Sequence, residues 1–235
     1  MIAKRVWFDI QGLENIIQEP IPRGYNILIS GVDGSGRTGL AIALLKARLE
    51  RDVAAFVAID ESPESIKVMF EEQFNVPVDS LKEEDKLTII DSWSGQGRIE
   101  DWVVIDPNAP DVLDYVTDLW IKTHRTKGEG YLMVFDSLST LFEYAKFEEA
   151  LQFLRHKTRK IRASEGIGIF TISETAHSAE FLTTIIGFFD GIFQTCLTFE
   201  AGKYTHTVKV TKMRRVNTSG ELRTVKLSTD GIIIE

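Results

Sequence analysis

A single cysteine, Cys196, is all the thiol this 235-residue chain contains, so no internal disulfide can form. A reducing cytosol is the matching compartment, and cytoplasmic residence is the expectation. Cys196 sits in the apolar run from Gly191 to Phe199, which predicts a buried structural thiol rather than a nucleophile. Long apolar runs are missing too: no stretch of 18 residues is free of polar interruption, which excludes a membrane-spanning helix. The opening segment Ile10 to Ile17 is broken by Gln11, Glu14 and Asn15, so no signal peptide is expected. Positive charge is in deficit, with 27 Lys and Arg against 35 Asp and Glu. The net charge of −8 argues against a protein that coats nucleic acid or an anionic membrane. The four histidines show no metal-ligand spacing. Repeats, low-complexity tracts and linkers are absent. What remains is ordinary globular composition, 43% hydrophobic and 26% charged, and one domain over residues 1–235 is expected.

The most informative segment is Ile27-Leu28-Ile29-Ser30-Gly31-Val32-Asp33-Gly34-Ser35-Gly36-Arg37-Thr38. An apolar strand leads into a glycine-rich turn and then a helix predicted from about Thr38 to Leu49. The spacing is that of a phosphate-binding loop, G-x-x-x-x-G-K-[ST], with Arg37 at the lysine position. Glycines let backbone N–H groups close around an anion, and the helix points its positive end at it. Gly31, Asp33, Gly34, Ser35, Gly36, Arg37, Thr38 and Gly39 are therefore the candidate phosphate cradle. Thr38 is placed to offer its hydroxyl to Mg²⁺. Arginine keeps the positive charge but replaces a compact ammonium with a wide planar fork.

Apolar runs at Tyr25–Gly31, Val53–Ile59, Leu87–Asp91, Tyr131–Asp136 and Gly166–Ile172 lack polar alternation, which predicts a parallel sheet covered on both faces. Helices are predicted after Ser62-Pro63-Glu64, over about Pro110 to Thr126, and over about Lys146 to Ser164. From Gly191 onward only strands are expected, at Gly191–Phe199, Thr205–Lys212, Arg223–Leu227 and Ile232–Glu235, with turns at Ala201-Gly202 and Ser219-Gly220. The fold class is an α/β core finished by β-hairpins. Its ligand site belongs at the carboxyl ends of the strands.

Two acidic features complete the motif set. Tyr131 to Asp136 is a buried strand that delivers Asp136 to the sheet edge, where a carboxylate on the Mg²⁺ side is needed. Asp60 and Glu61 end the second predicted strand. They either orient a water for attack on a γ-phosphate or simply begin the next helix, where acids suit the positive dipole end. Both readings stay open on the residues alone.

Taken in order, Ile21-Pro22-Arg23-Gly24, the Gly31–Thr38 loop, Asp60-Glu61-Ser62, Phe135-Asp136-Ser137, Ser173-Glu174, Phe189-Asp190-Gly191, Lys212-Met213-Arg214 and Asp230-Gly231-Ile232 resemble the KaiC and archaeal RadA-like branch of RecA-type ATPases. The resemblance spans nearly the whole chain. It implies a RecA-like P-loop NTPase core, with a mostly parallel sheet, flanking helices and a C-terminal β-hairpin extension. It implies ATP and Mg²⁺ as cofactors, with Thr38 and Asp136 on the metal. The acidic pair Asp60 and Glu61 would act on water, with Asp60 shorter than the family's glutamate. Ser173 and Glu174 would sense nucleotide state, and Lys212 and Arg214 would reach a neighbouring subunit's site in a ring, most simply a hexamer. By composition alone, Lys212 and Arg214 would be a solvated face of an edge strand.

The implied function is a Mg·ATP-binding protein that acts as an assembly or signalling switch, with weak or absent hydrolysis because Arg37 and Asp60 depart from the pattern. One alternative is a nucleotide-independent scaffold; another is a recombination accessory that binds single-stranded DNA. The segment Thr175 to Phe189, which would line a pore, carries no Lys or Arg and so is a poor phosphate ligand. The basic stripe Arg155, His156, Lys157, Arg159, Lys160 and Arg162 is expected to be the solvated face of a helix whose apolar face is Phe147, Leu151, Leu154, Thr158 and Ile161. Trp7, Trp93, Trp102 and Trp120 fit either core or interface. An unidentified protein partner is expected; a membrane is not.

Overall fold

The computed structural model describes residues 4–94, 103–104, 106, 108–200, 202–228 and 231–235. Two short strands come first, β1 (Arg5–Val6) and β2 (Ile21–Pro22), which pair with each other. The first core strand, β3 (Tyr25–Gly31), leads to α1 (Arg37–Lys46) and β4 (Val53–Ala58). Next come α2 (Pro63–Val68), α3 (Val78–Glu83), β5 (Leu87–Asp91) and β6 (Val103–Val104). Then follow α4 (Pro110–His124), β7 (Tyr131–Asp136), α5 (Leu138–Tyr144), α6 (Phe147–Ala163), β8 (Ile167–Ser173) and α7 (Ala179–Ile186). The chain closes on β9 (Gly191–Glu200), β10 (Lys203–Met213), β11 (Leu222–Ser228) and β12 (Gly231–Ile234).

Ten strands form one sheet in the order β12-β11-β10-β9-β3-β8-β7-β4-β5-β6. From β9 to β6 every pairing is parallel; β9 to β12 pair antiparallel. The unbroken apolar runs are explained by burial on both faces. Ile27 and Ile29 of β3 enter one core with Phe56, Phe70 and Phe193, while Leu28 between them enters the other with Phe135, Leu154 and Phe170. Each fully buried Phe contributes about 1.5–3 kcal/mol. Register then fixes the carboxyl edge: Gly31 lies beside Ser173 and beside Thr195, and Ala58 lies beside Asp136 and Asp91.

The expected α/β architecture is present. The Ser62-Pro63 signal starts α2 as read, with the Ser62 side chain accepting from the Ser65 N–H at 3.1 Å. Helix α1 begins and ends earlier than expected. Helices α3, α5 and α7 were not anticipated, and α7 occupies most of the segment read as a pore loop. Two readings are corrected. Lys157 is not on a solvated stripe: it is 0% exposed, because its place on α6 faces α4, where Asp118 lies at 2.6 Å and Asp114 at 2.8 Å. Cys196 is only half-buried. Thr195 is the last β9 residue paired with β3, so Cys196 lies where β9 has passed that neighbour. Trp120 is buried, with its Nε1–H donating to Thr88 at 2.9 Å; Trp7 and Trp93 are exposed. Trp102, Ala201 and Asp230 lie outside the described residues. Among the described residues no helix is long and apolar enough to cross a membrane.

Candidate phosphate-binding site

The turn between β3 and α1 has the backbone its glycines predict. Gly34 and Gly36 hold φ of 77° and 90°, a region in which a side chain is strained. At Gly31 the requirement is space: an added Cβ would lie 2.3 Å from Thr195 Oγ1 and 2.6 Å from Ser35 Oγ. Those two hydroxyls are themselves bonded at 2.7 Å in a buried contact that ties the loop to β9. His206 on β10 also reaches the loop, with Nδ1 3.6 Å from where a Cβ on Gly36 would stand. Gly34 has open space around its Cβ position, and Gly39 at the start of α1 packs toward Phe74.

Thr38 Oγ1 donates to Asp136 Oδ2 at 2.9 Å, so the two residues expected on the metal are already in contact. Asp136 is 2% exposed and also accepts from the Thr171 hydroxyl. Burial pushes its carboxyl above the usual range; Thr171 and Thr38 counter this, and Asp60 adds to it. A buried carboxylate with only hydroxyl donors is one that a cation would satisfy. One carboxylate and one hydroxyl suit Mg²⁺, which keeps most of its water and completes its shell with phosphate oxygens. Bound there, Mg²⁺ supplies neutralisation of developing negative charge on a phosphoryl group. The residues fit Mg·nucleotide.

Arg37 departs from the expected geometry as well as from the expected residue type. Its Nη1 donates to the Gly31 carbonyl at 3.0 Å and its Nη2 to Asp33 Oδ1 at 2.9 Å. The guanidinium is folded onto its own loop. Asp33 in turn accepts from Ser173 Oγ at 2.7 Å and from Thr175 Oγ1 at 3.0 Å. These donors, Ser173 foremost and Arg37 among them, hold the Asp33 carboxyl below the usual range against the opposing effect of burial. Ser173, expected to sense nucleotide, thus touches the loop directly. Its neighbour Glu174 accepts from Ser30 at 2.8 Å and from Gln194 at 3.0 Å, and its N–H donates to the Gly31 carbonyl at 2.9 Å.

Asp60 and Glu61 follow β4 and are exposed. Asp60 accepts from Thr140 on α5. Its charge registers on Asp136, which puts it on the metal side of the site. Lys212 and Arg214 are not brought to the loop of their own chain. Lys212 pairs with Ile192, which pairs with Leu28, three residues before Gly31, or about 10 Å back along the strands. Lys212 donates to the Ile186 carbonyl at 3.0 Å; Arg214 reaches Asp190 at 3.5 Å and the Gly187 carbonyl at 3.4 Å. Burial, then the Arg214 charge, holds the Lys212 ammonium below the usual lysine range.

Sequence reasoning missed Thr171, Thr195, Thr175, Thr140 and His206. Four of these are threonines in strands, loops or helices with no motif of their own, and only strand register or packing brings them to the loop.

The family model described as ATPase: KaiC matches residues 7–235. A UPF0273 protein of Methanocaldococcus jannaschii is 27% identical over 244 aligned positions, covering 98% of this chain and 96% of its own length. A UPF0273 protein of Thermotoga maritima is 30% identical over 60% of this chain, but the matched stretch spans only 58% of that relative. The circadian clock oscillator protein KaiC of Acaryochloris marina is 26% identical over 73% of this chain, which spans 31% of its length. Among solved structures, a KaiC-like protein from Pyrococcus horikoshii superposes with a TM-score of 0.80 over 99% of both chains at 16% identity, a likeness of fold. With the family model matching almost from end to end, the chain belongs to the KaiC family of ATPases.

Proposed function

We propose that this protein binds Mg·ATP at the β3–α1 loop and uses occupancy of the site as a switch for assembly or signalling, with slow hydrolysis at best. One observation carries the reading: the metal-side pair Thr38–Asp136 is intact, while Arg37 is bonded back to Gly31 and Asp33. A site built this way holds phosphates and metal, but its one loop cation is withdrawn from the position where a preorganised charge would stabilise the transition state. Asp60 and Glu61 orient water, with Asp60 held against Thr140 rather than free to swing. Lys212 and Arg214 act on a second copy of the chain in a ring, most simply a hexamer; their distance from their own loop supports this. The lone cysteine supports a cytoplasmic setting.

Titration calorimetry with Mg·ATP and Mg·ADP tests the binding claim. Saturable binding in the micromolar range supports it; no heat with either nucleotide at millimolar concentration refutes it. Steady-state turnover of about 1 s⁻¹ or faster would refute slow hydrolysis. Sedimentation at high protein concentration with Mg·ATP tests the ring, and a strictly monomeric mass rules it out. The scaffold alternative draws support from the same self-satisfied loop, and an unchanged melting temperature in excess Mg·ATP and Mg·ADP would favour it.

A further inference from the structure

The groups suited to grip a terminal phosphate are already gripping something. Arg37 occupies the loop position from which a cation reaches the terminal phosphates. Ser173 offers a hydroxyl from the adjacent strand end, and Thr175 a second. All three donate to one carboxylate, Asp33, at 2.9, 2.7 and 3.0 Å. Oδ1 takes Arg37 and Ser173; Oδ2 takes Thr175. The Asp33 side chain is 74% exposed, so these donors rather than packing define where it sits. A carboxylate and a phosphate oxygen ask for the same partners, an arginine fork and hydroxyl donors.

We infer that Asp33 stands in for the terminal phosphate and makes the site selective for a nucleoside diphosphate over the triphosphate. A third phosphate finds its donors taken and must settle beside a carboxylate of like charge. A diphosphate calls at most on Arg37, whose loop position faces the β- as well as the γ-phosphate, and leaves Ser173 and Thr175 on Asp33. Triphosphate binding therefore requires Asp33 to leave Arg37, Ser173 and Thr175 together, which couples the terminal phosphate to the end of β8 and the segment leading to α7. This inference rests on the Mg·nucleotide reading above and adds the ligand preference of that site.

The test is calorimetric titration of Mg·ADP and Mg·ATP into the wild type, Asp33→Asn and Thr175→Val, with a melting curve for each protein. The wild type is expected to bind Mg·ADP more tightly than Mg·ATP. Asp33→Asn removes the charge at constant shape and should shift the ratio of Mg·ATP to Mg·ADP affinity roughly tenfold toward Mg·ATP. Thr175→Val removes one donor to Asp33 without altering a loop residue and should give a smaller shift in the same direction; it carries the test if Asp33→Asn does not fold. Equal shifts for both nucleotides, or none, overturn the inference while leaving nucleotide binding in place. Absence of binding to all three proteins refutes the nucleotide reading itself, and this inference with it.

Discussion

Replacing Arg37 with Lys is the substitution that separates a withdrawn cation from a missing one. In the wild type the guanidinium is 12% exposed and bonded at both ends of its fork, to the Gly31 carbonyl and to Asp33. A lysine presents one flexible ammonium in place of the planar fork, so it does not fix both contacts in that geometry. What is given up is small: one neutral-acceptor hydrogen bond to a cation, about 1.5–3 kcal/mol at most, and a largely exposed ion pair of about 0.2–1 kcal/mol, part of which the ammonium recovers. What is gained is a cation free to meet the phosphates, and one preorganised donor of that kind is worth about 2–4 kcal/mol in the transition state. With the ammonium recovering about half of that loss, about 1–2 kcal/mol is set against the gain of about 2–4 kcal/mol, and the net of about 1–2 kcal/mol is a rise in turnover of roughly 5- to 30-fold. The assay is steady-state phosphate release at saturating Mg·ATP, with a Thr38→Ala control to show that the release comes from this site. A turnover within about twofold of wild type would refute the reasoning and move the catalytic defect elsewhere, with Asp60 next in line.

Stability predictions follow from the buried ion pairs. Asp52 is 0% exposed between Arg23 at 2.6 Å and Arg48 at 2.9 Å, so Asp52→Ala strands two buried guanidinium groups and should cost about 3–5 kcal/mol, read by chemical denaturation. Asp118 on α4 faces Lys157 at 2.6 Å and Lys160 at 3.0 Å; burial raises its carboxyl, but the two lysines outweigh that and hold it below the usual carboxylate range. A depressed carboxyl stabilises above its unfolded pKa and loses that contribution as pH falls through the folded one. Stability should therefore fall below about pH 4, and Asp118→Asn should flatten that part of the profile, measured as melting temperature against pH. Arg214→Ala should leave melting almost unchanged, within about 1 kcal/mol, because its 3.5 Å contact with Asp190 is half exposed. The same variant should lower Mg·ATP-dependent assembly or turnover, and unaffected assembly and turnover would show that Arg214 serves only its own chain.

Much of this fold is written in local pattern. The strands Val53–Ala58 and Tyr131–Asp136 read correctly because burial on both faces leaves no polar residue to confuse the period. The β3–α1 turn was legible as a phosphate-loop pattern because that pattern is a spacing within eight residues. Lys157 was misread for the opposite reason: its neighbours along α6 are basic, and only the crossing of α4 behind it supplies Asp114 and Asp118. Thr171 and Thr195 carry no signal in sequence, since threonine is common in strands; they matter because register sets Thr195 opposite Gly31 and packing aims Thr171 at Asp136.

The two kinds of residue divide along the site itself. Groups that would hold metal and inner phosphates are anchored by the sheet: Thr38 to Asp136, Asp136 to Thr171, Ser35 to Thr195. Groups that would meet the terminal phosphate are anchored to one another: Arg37 to Asp33, Asp33 to Ser173 and Thr175. The first set is held by strand register without ligand, so it would favour binding. The second set has a satisfied arrangement without ligand, and any ligand that recruits it must first break that arrangement. Under the proposed switch, a site divided in this way would have two states separated by a local rearrangement, which would favour switching and handicap rapid turnover. In that proposal Arg37 at the lysine position is part of the device: a lysine would release Asp33 more readily, because a flexible ammonium does not fix the carboxylate and the Gly31 carbonyl with a planar fork.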